Sequence, residues 1–323
     1  VVEGLMQQGL ITSMCGDGGN DSGALRTAHV GMALSSATSA TVVAPFTTNR
    51  PSVAPVADLL REGRGALATS FAGYKYCVHY GLLNSVFKCV TYWNGISQPM
   101  ISSYLQDLVG FLSFSWAVSL SRPAESLVDD RPTSSLFSPM TVGSVVGLWA
   151  INATFMLTCM CWIMSHEEFV PFPVHLVRVT QWWKLSRNWE TTTIFFVYTF
   201  QQFWSAVVYS FGHHFRLSWY MNLSLLTLAS GGLGFLAVLL VSEPSAATRA
   251  FQLAFEEDAQ HEPWSPSQPC PAMPLRLRTQ LLCFIAANLA TGALWEKVII
   301  QGDIGRRLRD RWRFMSKHIT LRL

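Results

Sequence analysis

Long apolar stretches recur along most of this chain, separated by short polar connections. A helix needs about 20 predominantly apolar residues to cross the hydrocarbon core of a bilayer, which is about 30 Å thick. After residue 69 the sequence repeatedly reaches or approaches that length. We therefore predict an all-α bundle of six transmembrane helices, over residues 70–93, 101–120, 141–164, 191–211, 218–241 and 279–300.

The first 55 residues have a different pattern, in which short apolar runs alternate with a helical period. The chain opens with helical spacing, and Gly9 stands where a helix C-terminal cap would fall. An apolar strand, an acidic turn, a helix and a second strand follow, which is the order of a right-handed crossover unit in a parallel sheet. We predict part of an α/β domain, with its elements at residues 10–14, 22–30, 31–34 and 41–46.

A charged helix connects these two parts. It begins near Val56, carries its charges at residues 58–64, and becomes apolar without a stop signal. We therefore expect four segments: the α/β part at residues 1–55, a stalk at 56–69, a membrane domain at 70–300, and a basic tail at 301–323.

The composition supports a lipid environment. Half of the residues are hydrophobic and only 13% are charged, whereas about a quarter of the residues of soluble domains are charged. The net charge of +3 is too small and too evenly spread to indicate nucleic acid binding. The seven cysteines contain no Cys-x-x-Cys pair, so they predict neither a zinc site nor a disulfide framework. No sequence feature indicates a protein partner.

The orientation follows from helix number and charge. An even number of spans returns the C-terminus to the side of the α/β part, and the basic cluster at 306–313 favours the cytoplasmic side. Arg178, Lys184 and Arg187 fall on the other side, which weakens the argument without reversing it. The chain has no initiator Met or signal peptide and starts in mid-helix, so we expect a C-terminal fragment with both of its ends in the cytoplasm.

The turn after the first predicted strand carries residues that could bind a metal ion and a phosphate group. Asp17 and Asp21 can ligate Mg²⁺, which needs only one or two carboxylates besides waters and phosphate oxygens. Asn20 can donate its amide to a phosphate oxygen. The spacing alone leaves open a turn that merely caps a helix. Three glycines of the same turn would allow a phosphate to approach the backbone, and they are Gly16, Gly18 and Gly19.

Two polar residues near the start of the second span are candidates for a substrate pathway. Asp107 and its neighbour Gln106 lie at or within the apolar stretch, where a carboxylate is costly unless it serves a pathway or a partner. The alternative is that Asp107 lies at the interface and is solvated.

The other polar residues of the spans favour structural roles. We expect Lys75 to extend its ammonium group to the interface, and Glu296 to form a solvated pair with Lys297. Gln201 and Gln202 are expected to hydrogen-bond across helices.

A family resemblance decides between the two interpretations of the acidic turn. The stretch Cys15–Leu25, joined to Ala28–Leu34, resembles the phosphorylation-domain signature of P-type ATPases, a domain with a haloacid-dehalogenase-like fold. The stretches Ser39–Thr47, Arg61–Arg64 and Ser70–Tyr80 are similar to the fifth type of this family, and favour its polyamine- and cation-transporting branch.

The resemblance implies a role for each residue of the turn. Asp17 would be a Mg²⁺ ligand, Asn20 would contact the aspartyl phosphate, and Asp21 would order the loop and help to hold the metal. Asp107 would correspond to an acid in the sixth helix of the family. The cofactors implied are Mg²⁺ and ATP, with ATP bound mainly by domains absent from this sequence.

The resemblance implies the C-terminal portion of an ATP-driven cation or polyamine transporter that cycles through an aspartyl phosphate, in an endosomal, lysosomal or other internal membrane. The sequence contains no Asp-Lys-Thr-Gly-Thr motif, so we expect no ATP hydrolysis by this chain alone. Two alternatives are the helix-removing endoplasmic-reticulum type of the same group and a non-catalytic membrane scaffold or remnant.

Overall fold

The computed structural model describes residues 1–17, 20–34, 42–50, 52–212, 214–257, 271–308 and 310–311. The chain divides into two compact units. One is an α/β unit, Val1–Ala66 with Pro123–Arg131, and the other is a helical unit, Leu67–Arg122 with Pro132–Leu323.

The α/β unit contains a small parallel sheet with one crossover helix. Its strands are β1 (Ser13–Gly16), β2 (Val30–Ala33) and β3 (Phe46–Thr47), paired in the order β1-β2-β3. Both pairings are parallel, with Ser13 beside Val30 and Met32 beside Phe46. Helices α1 (Val2–Gln7) and α2 (Ser22–Thr27) belong to this unit. The predicted parallel strand-helix-strand order is therefore confirmed.

The predicted boundaries in this unit were shifted, because turn contacts occupy residues that were assigned to strand or helix. At the end of α1, Gly9 has φ +74° and the Leu10 amide donates to the Leu5 carbonyl over 3.2 Å. This is the Schellman pattern, and it delays β1 by a few residues. The Thr12 amide donates to His29 Nδ1 over 3.2 Å, so α2 ends before His29. The third strand is confined to Phe46–Thr47, and the described residues Val42 and Val43 are helical.

The core of the α/β unit is built from small residues around one leucine. Leu25 of α2 is buried together with Ala33 and Ala44. A Cβ atom added at Gly31 would lie 3.3 Å from the carbonyl carbon of Leu25. The small side chains therefore allow α2 to pack closely on β2.

A single helix, α3 (Ala54–Trp93), includes both the predicted stalk and the first predicted span. Its 40 residues extend about 60 Å at 1.5 Å per residue. In the α/β unit its charged part binds the segment Pro123–Arg131, because Arg61 donates to the Glu125 carbonyl over 3.3 Å and Arg64 donates to the Val128 carbonyl. The absence of a stop signal near residue 69 thus reflects an uninterrupted helix.

The helical unit contains a helix at every predicted span. A π-helical stretch, π1 (Leu105–Ser113), joins α4 (Met100–Tyr104) to α5 (Phe114–Ser119). The remaining elements are α6 (Pro139–Met164), α7 (Trp189–Tyr209), α8 (Leu223–Val241), α9 (Ala246–Ala250), α10 (Leu275–Leu294) and a second π-helical stretch, π2 (Trp295–Ile300). Short 3₁₀ helices lie at Val174–Leu176, Val179–Lys184 and Trp219–Met221.

Three of these helices are long and apolar enough to cross a membrane, by length and composition. Among the described residues they are Pro139–Met164, Leu223–Val241 and Leu275–Ile300. Helix α7 falls outside this set although it was predicted as a span, since it carries Thr191, Thr192, Thr193, Gln201 and Gln202. Nearly every residue of α7 is buried, and the helix packs against α6, α8 and α10. By length and composition, therefore, three of the six predicted spans are supported among the described residues.

Candidate functional site

The acidic turn begins where β1 ends, at the carboxyl edge of the parallel sheet. The Gly16 carbonyl accepts a hydrogen bond of 2.7 Å from the Leu34 amide, and the Ala33 carbonyl accepts one of 3.0 Å from the Thr48 amide. These bonds bring the ends of the three strands to one edge. Ligands of parallel α/β sheets bind at that edge.

Asp21 packs directly against Gly16 at this edge. A Cβ atom added at Gly16 would lie 2.9 Å from both Cβ and Cγ of Asp21, closer than real Cβ contacts come. Asp21 occupies the N-cap position of α2, yet at this described helix start its side chain accepts no capping hydrogen bond. The side chain of Asp21 therefore lies against Gly16 at the end of β1 and does not cap α2.

The other polar residues of the turn lie at the surface. Asp17 follows β1 directly and Asn20 precedes the start of α2, and both are exposed. Gly18 and Gly19, predicted to give a phosphate access to the backbone, lie outside the described residues. The structure thus places two carboxylates and one amide around the end of β1.

The donor groups of the turn suit Mg²⁺ better than they suit a metal ion in a closed structural site, such as zinc. No group of three or more His, Cys, Asp or Glu side chains suited to a metal ion occurs in the described part of the chain. A structural zinc site would need such a group. Mg²⁺ keeps several waters and binds through one or two carboxylates together with phosphate oxygens, which matches Asp17 and Asp21.

In the helical unit, Asp107 lies on π1 and is exposed. The Tyr80 hydroxyl, from α3, donates a hydrogen bond of 2.7 Å to Asp107 Oδ1. The ring of Tyr80 stacks on Phe111 with the centroids 4.3 Å apart. An exposed carboxylate beside an aromatic cluster can attract a cation through its charge and through the ring faces.

Gln106 points to the interior, so the structure separates the two residues that were predicted to share a pathway. Its side-chain amide donates to Thr199 Oγ1 over 3.0 Å and to Gln98 Oε1 over 3.1 Å. Its backbone carbonyl accepts a hydrogen bond of 2.8 Å from Gln202 Nε2. Gln106 therefore fixes π1 against α7 while Asp107 remains exposed.

Close packing at Gly110 also holds π1 against α7. A Cβ atom there would lie 2.8 Å from the Phe203 ring and from Gln202 Nε2. The Tyr76 hydroxyl donates to the Gly110 carbonyl. π-Helical stretches often occur at functional sites, because the extra residue in the turn changes the direction of a side chain.

The sequence-based interpretation of two charged residues was wrong. Glu296 is 1% exposed and is not a solvated partner of Lys297. Lys75 Nζ lies 3.1 Å from Glu296 Oε1, so Lys75 does not extend to the interface. The expected interhelical bonds of Gln201 and Gln202 are confirmed, since Gln201 Nε2 donates to the Asn152 carbonyl over 2.9 Å and Gln202 binds π1.

No family model matches the chain. It is 33% identical to the polyamine-transporting ATPase 13A3 of Mus musculus over 69% of this chain. It is 34% identical to the polyamine-transporting ATPase 13A2 over 72%, and 27% identical to the probable cation-transporting ATPase 13A4 over 93%, both also of Mus musculus. The chain belongs to the P-type ATPases of the fifth type. It spans about a fifth to a quarter of the length of these relatives, 19%, 19% and 25% respectively.

Membership of the fifth type confirms the resemblance found in the acidic turn and in the start of α3. The match to the probable cation-transporting ATPase 13A4 covers 93% of this chain and therefore includes most of both units. The sequence motif that indicated this family most specifically was Gly16-Asp17 followed by Asn20-Asp21. No sequence motif indicated the contacts of Gln98 or Ser144, and the motif that includes Tyr80 did not indicate its bond to Asp107, because the partners of these residues lie on other segments.

Proposed function

We propose that this chain is the transport portion of an ATP-driven cation or polyamine pump that cycles through an aspartyl phosphate. The observation that carries the proposal is the Asp17–Asp21 turn at the carboxyl edge of the parallel sheet. Its support is the family membership and the names of the relatives, which are polyamine-transporting and probable cation-transporting ATPases.

At the turn, Asp17 and Asp21 would hold Mg²⁺, and Asn20 would donate its amide to a phosphate oxygen. The contact of Asp21 with Gly16 keeps that carboxylate at the end of β1. When bound, Mg²⁺ neutralises charge on the phosphoryl group. The chain's own residues contribute position, since phosphoryl transfer depends mainly on alignment and electrostatic stabilisation.

The phosphorylated aspartate and most ATP contacts come from outside these residues. The Asp-Lys-Thr-Gly-Thr motif does not occur in the sequence, and the relatives are about four to five times as long as the matched region. This chain alone therefore does not hydrolyse ATP. Each segment has its own role. Residues 1–55 take part in phosphate chemistry, the stalk at 56–69 couples that chemistry to transport, residues 70–300 carry the transport pathway, and residues 301–323 form a cytoplasmic tail.

We further propose that all six helical segments cross the membrane. The low hydropathy of α7 is compatible with this topology, because its polar side chains face other helices and not lipid. The exposed residues of π1 and α5 are apolar at Leu108, Leu112 and Trp116. Six spans place both ends of the chain in the cytoplasm, next to an endosomal, lysosomal or other internal membrane.

Asp107 contacts the transported cation, and Gln106 positions Asp107. The support is the exposure of Asp107, its location beside the rings of Tyr80 and Phe111, and the buried bonds that fix Gln106. An ammonium-bearing substrate matches a carboxylate with adjacent aromatic faces. The backbone of π1 transmits the fixed position of Gln106 to the adjacent Asp107.

The test uses the full-length protein that contains this chain, reconstituted in vesicles. Asp107→Asn should reduce polyamine-stimulated ATP hydrolysis and uptake while leaving the phosphoenzyme formed from ATP. Asp17→Asn should abolish the Mg²⁺-dependent phosphoenzyme. Asp303→Asn, at an exposed acid on another segment, is the matched control. Normal transport by Asp107→Asn would refute the substrate site, and a wild-type protein without any phosphoenzyme would favour the scaffold alternative.

A further inference from the structure

The ammonium group of Lys75 is surrounded by acceptors from three other elements of the helical unit. Lys75 Nζ, from α3, donates to Ser144 Oγ over 2.9 Å and to Glu296 Oε1 over 3.1 Å. The Ser144 hydroxyl, from α6, donates to Glu296 Oε2 over 2.6 Å. The ring centroid of Tyr209, from α7, lies 5.5 Å from Nζ.

Burying this cluster costs free energy, because two charged groups lose their hydration. The side chains of Lys75 and Glu296 are 17% and 2% exposed. Taking two charges out of water costs more than their attraction returns unless further hydrogen bonds satisfy them, and an apolar pair of the same volume often serves stability as well. Both carboxylate oxygens of Glu296 are satisfied here. The carboxylate and the hydroxyl thus provide the additional hydrogen bonds that a buried ammonium group needs.

The acceptors are positioned without help from Lys75. The Trp295 ring lies where a Cβ atom at Gly147 would be, and Trp295 Nε1 donates to the Gly143 carbonyl over 3.2 Å. These contacts hold π2 against α6, and the Ser144 hydroxyl then fixes the orientation of Glu296. Lys75 reaches the cluster from α3 on a flexible stem. Removing its side chain would leave the acceptors in place.

We propose that Ser144, Glu296 and the ring of Tyr209 form a binding site for a primary ammonium group, and that Lys75 fills it as a tethered ligand. Two acceptors at about 3 Å require N–H donors, which a primary ammonium has and a quaternary ammonium lacks. The ring contributes a cation–π contact. This site is distinct from Asp107, and the proposal does not depend on whether the protein pumps polyamines.

The test measures thermal unfolding of the full chain in detergent, with methylammonium chloride as the probe. Lys75→Ala should lower the unfolding midpoint and make it rise with methylammonium in a saturable manner. A ligand at ten times its dissociation constant shifts the folding equilibrium about tenfold, or on the order of a few degrees. Equal concentrations of sodium chloride or tetramethylammonium chloride should give no such rise, and the wild type should not respond because its site is filled.

Two variants serve as controls. Lys297→Ala, at the exposed lysine next to Glu296, should show no response to methylammonium. Lys75→Ala combined with Glu296→Gln should lose the response, because the anionic acceptor is gone. Equal stabilisation by methylammonium and tetramethylammonium would overturn the proposal. So would failure to recover folded protein in methylammonium for both Lys75→Ala and the second small variant, Lys75→Ser.

Discussion

Tyr80 and Asp107 form a hydrogen bond of 2.7 Å between α3 and π1, on an exposed part of the helical unit. The bond engages one carboxylate oxygen of Asp107 and restricts the orientation of the group. The ring of Tyr80 also stacks on Phe111, which restricts the position of the phenol. A carboxylate held in this way is oriented for a ligand before the ligand arrives, which lowers the entropic cost of binding.

The first prediction concerns this bond. Tyr80→Phe keeps the stacked ring and removes the donor, so the free energy of unfolding should fall by only about 0.5–1.5 kcal/mol. The KM for polyamine in the ATPase assay of the full-length protein should rise, because Asp107 loses its fixed orientation. Tyr104→Phe, at an exposed tyrosine of α4, is the control and should leave KM unchanged. An unchanged KM in Tyr80→Phe would separate Tyr80 from substrate binding.

The second prediction concerns the contact between Gly16 and Asp21. Gly16→Ala places a methyl group 2.9 Å from Cγ of Asp21, so either the strand or the carboxylate must move. Overpacking of this kind costs about 1–3 kcal/mol. We expect that loss in chemical denaturation of the chain, with a reduced phosphoenzyme level in the full-length protein.

Gly23→Ala, in α2, provides the matched control for Gly16→Ala. A Cβ atom at Gly23 meets nothing within 4 Å. Alanine in a helix is more favourable than glycine by about 0.5–1 kcal/mol, so this variant should be neutral or slightly more stable. Equal effects of the two substitutions would contradict the proposed steric contact.

The third prediction concerns pH. The Arg249 guanidinium hydrogen-bonds Glu256, and together with the charge of Arg187 it holds the pKa of that carboxyl below its usual value of 4.5. A carboxylate with a lowered pKa in the folded state stabilises the protein above its unfolded pKa, and the effect is lost as pH falls through the folded pKa. The thermal unfolding midpoint should therefore drop below pH 4.5 by a larger amount in the wild type than in Glu256→Gln.

Glu257→Gln is the control for the pH experiment, because Glu257 is the exposed neighbour of Glu256. It should retain the acid-induced drop of the wild type. If Glu256→Gln also retains it in full, the Arg249–Glu256–Arg187 contacts do not contribute to acid stability.

Local features of the sequence were sufficient where near neighbours decide the conformation. Gly9 ends α1 because only a residue that tolerates φ +74° permits the closing hydrogen bond there. The apolar stretches placed a helix at each of the six predicted segments, since helical geometry depends on residues three and four apart. The boundaries of β1 and α2 were missed by a few residues because the contact between Thr12 and His29 sets them.

Contacts between distant residues could not be read from the same patterns. Lys75 and Glu296 are 221 positions apart, and each alone has the pattern of an interfacial charge. The apolar period of α7 is the same whether the helix faces lipid or other helices, so its central burial was invisible in the sequence. Gln106 and Asp107 are adjacent in sequence, yet one is buried and the other exposed.

The sequence by itself determined the acidic turn Gly16–Asp21, the order of strands and helices, and the family of the protein. These depend on residue type at short spacing, and a short stretch of chain carries that information completely. Only the tertiary structure decided which side chains share an environment. The pairing of Lys75 with Glu296 and the separation of Gln106 from Asp107 result from helix packing, in which the position of each side chain depends on residues far away in the chain.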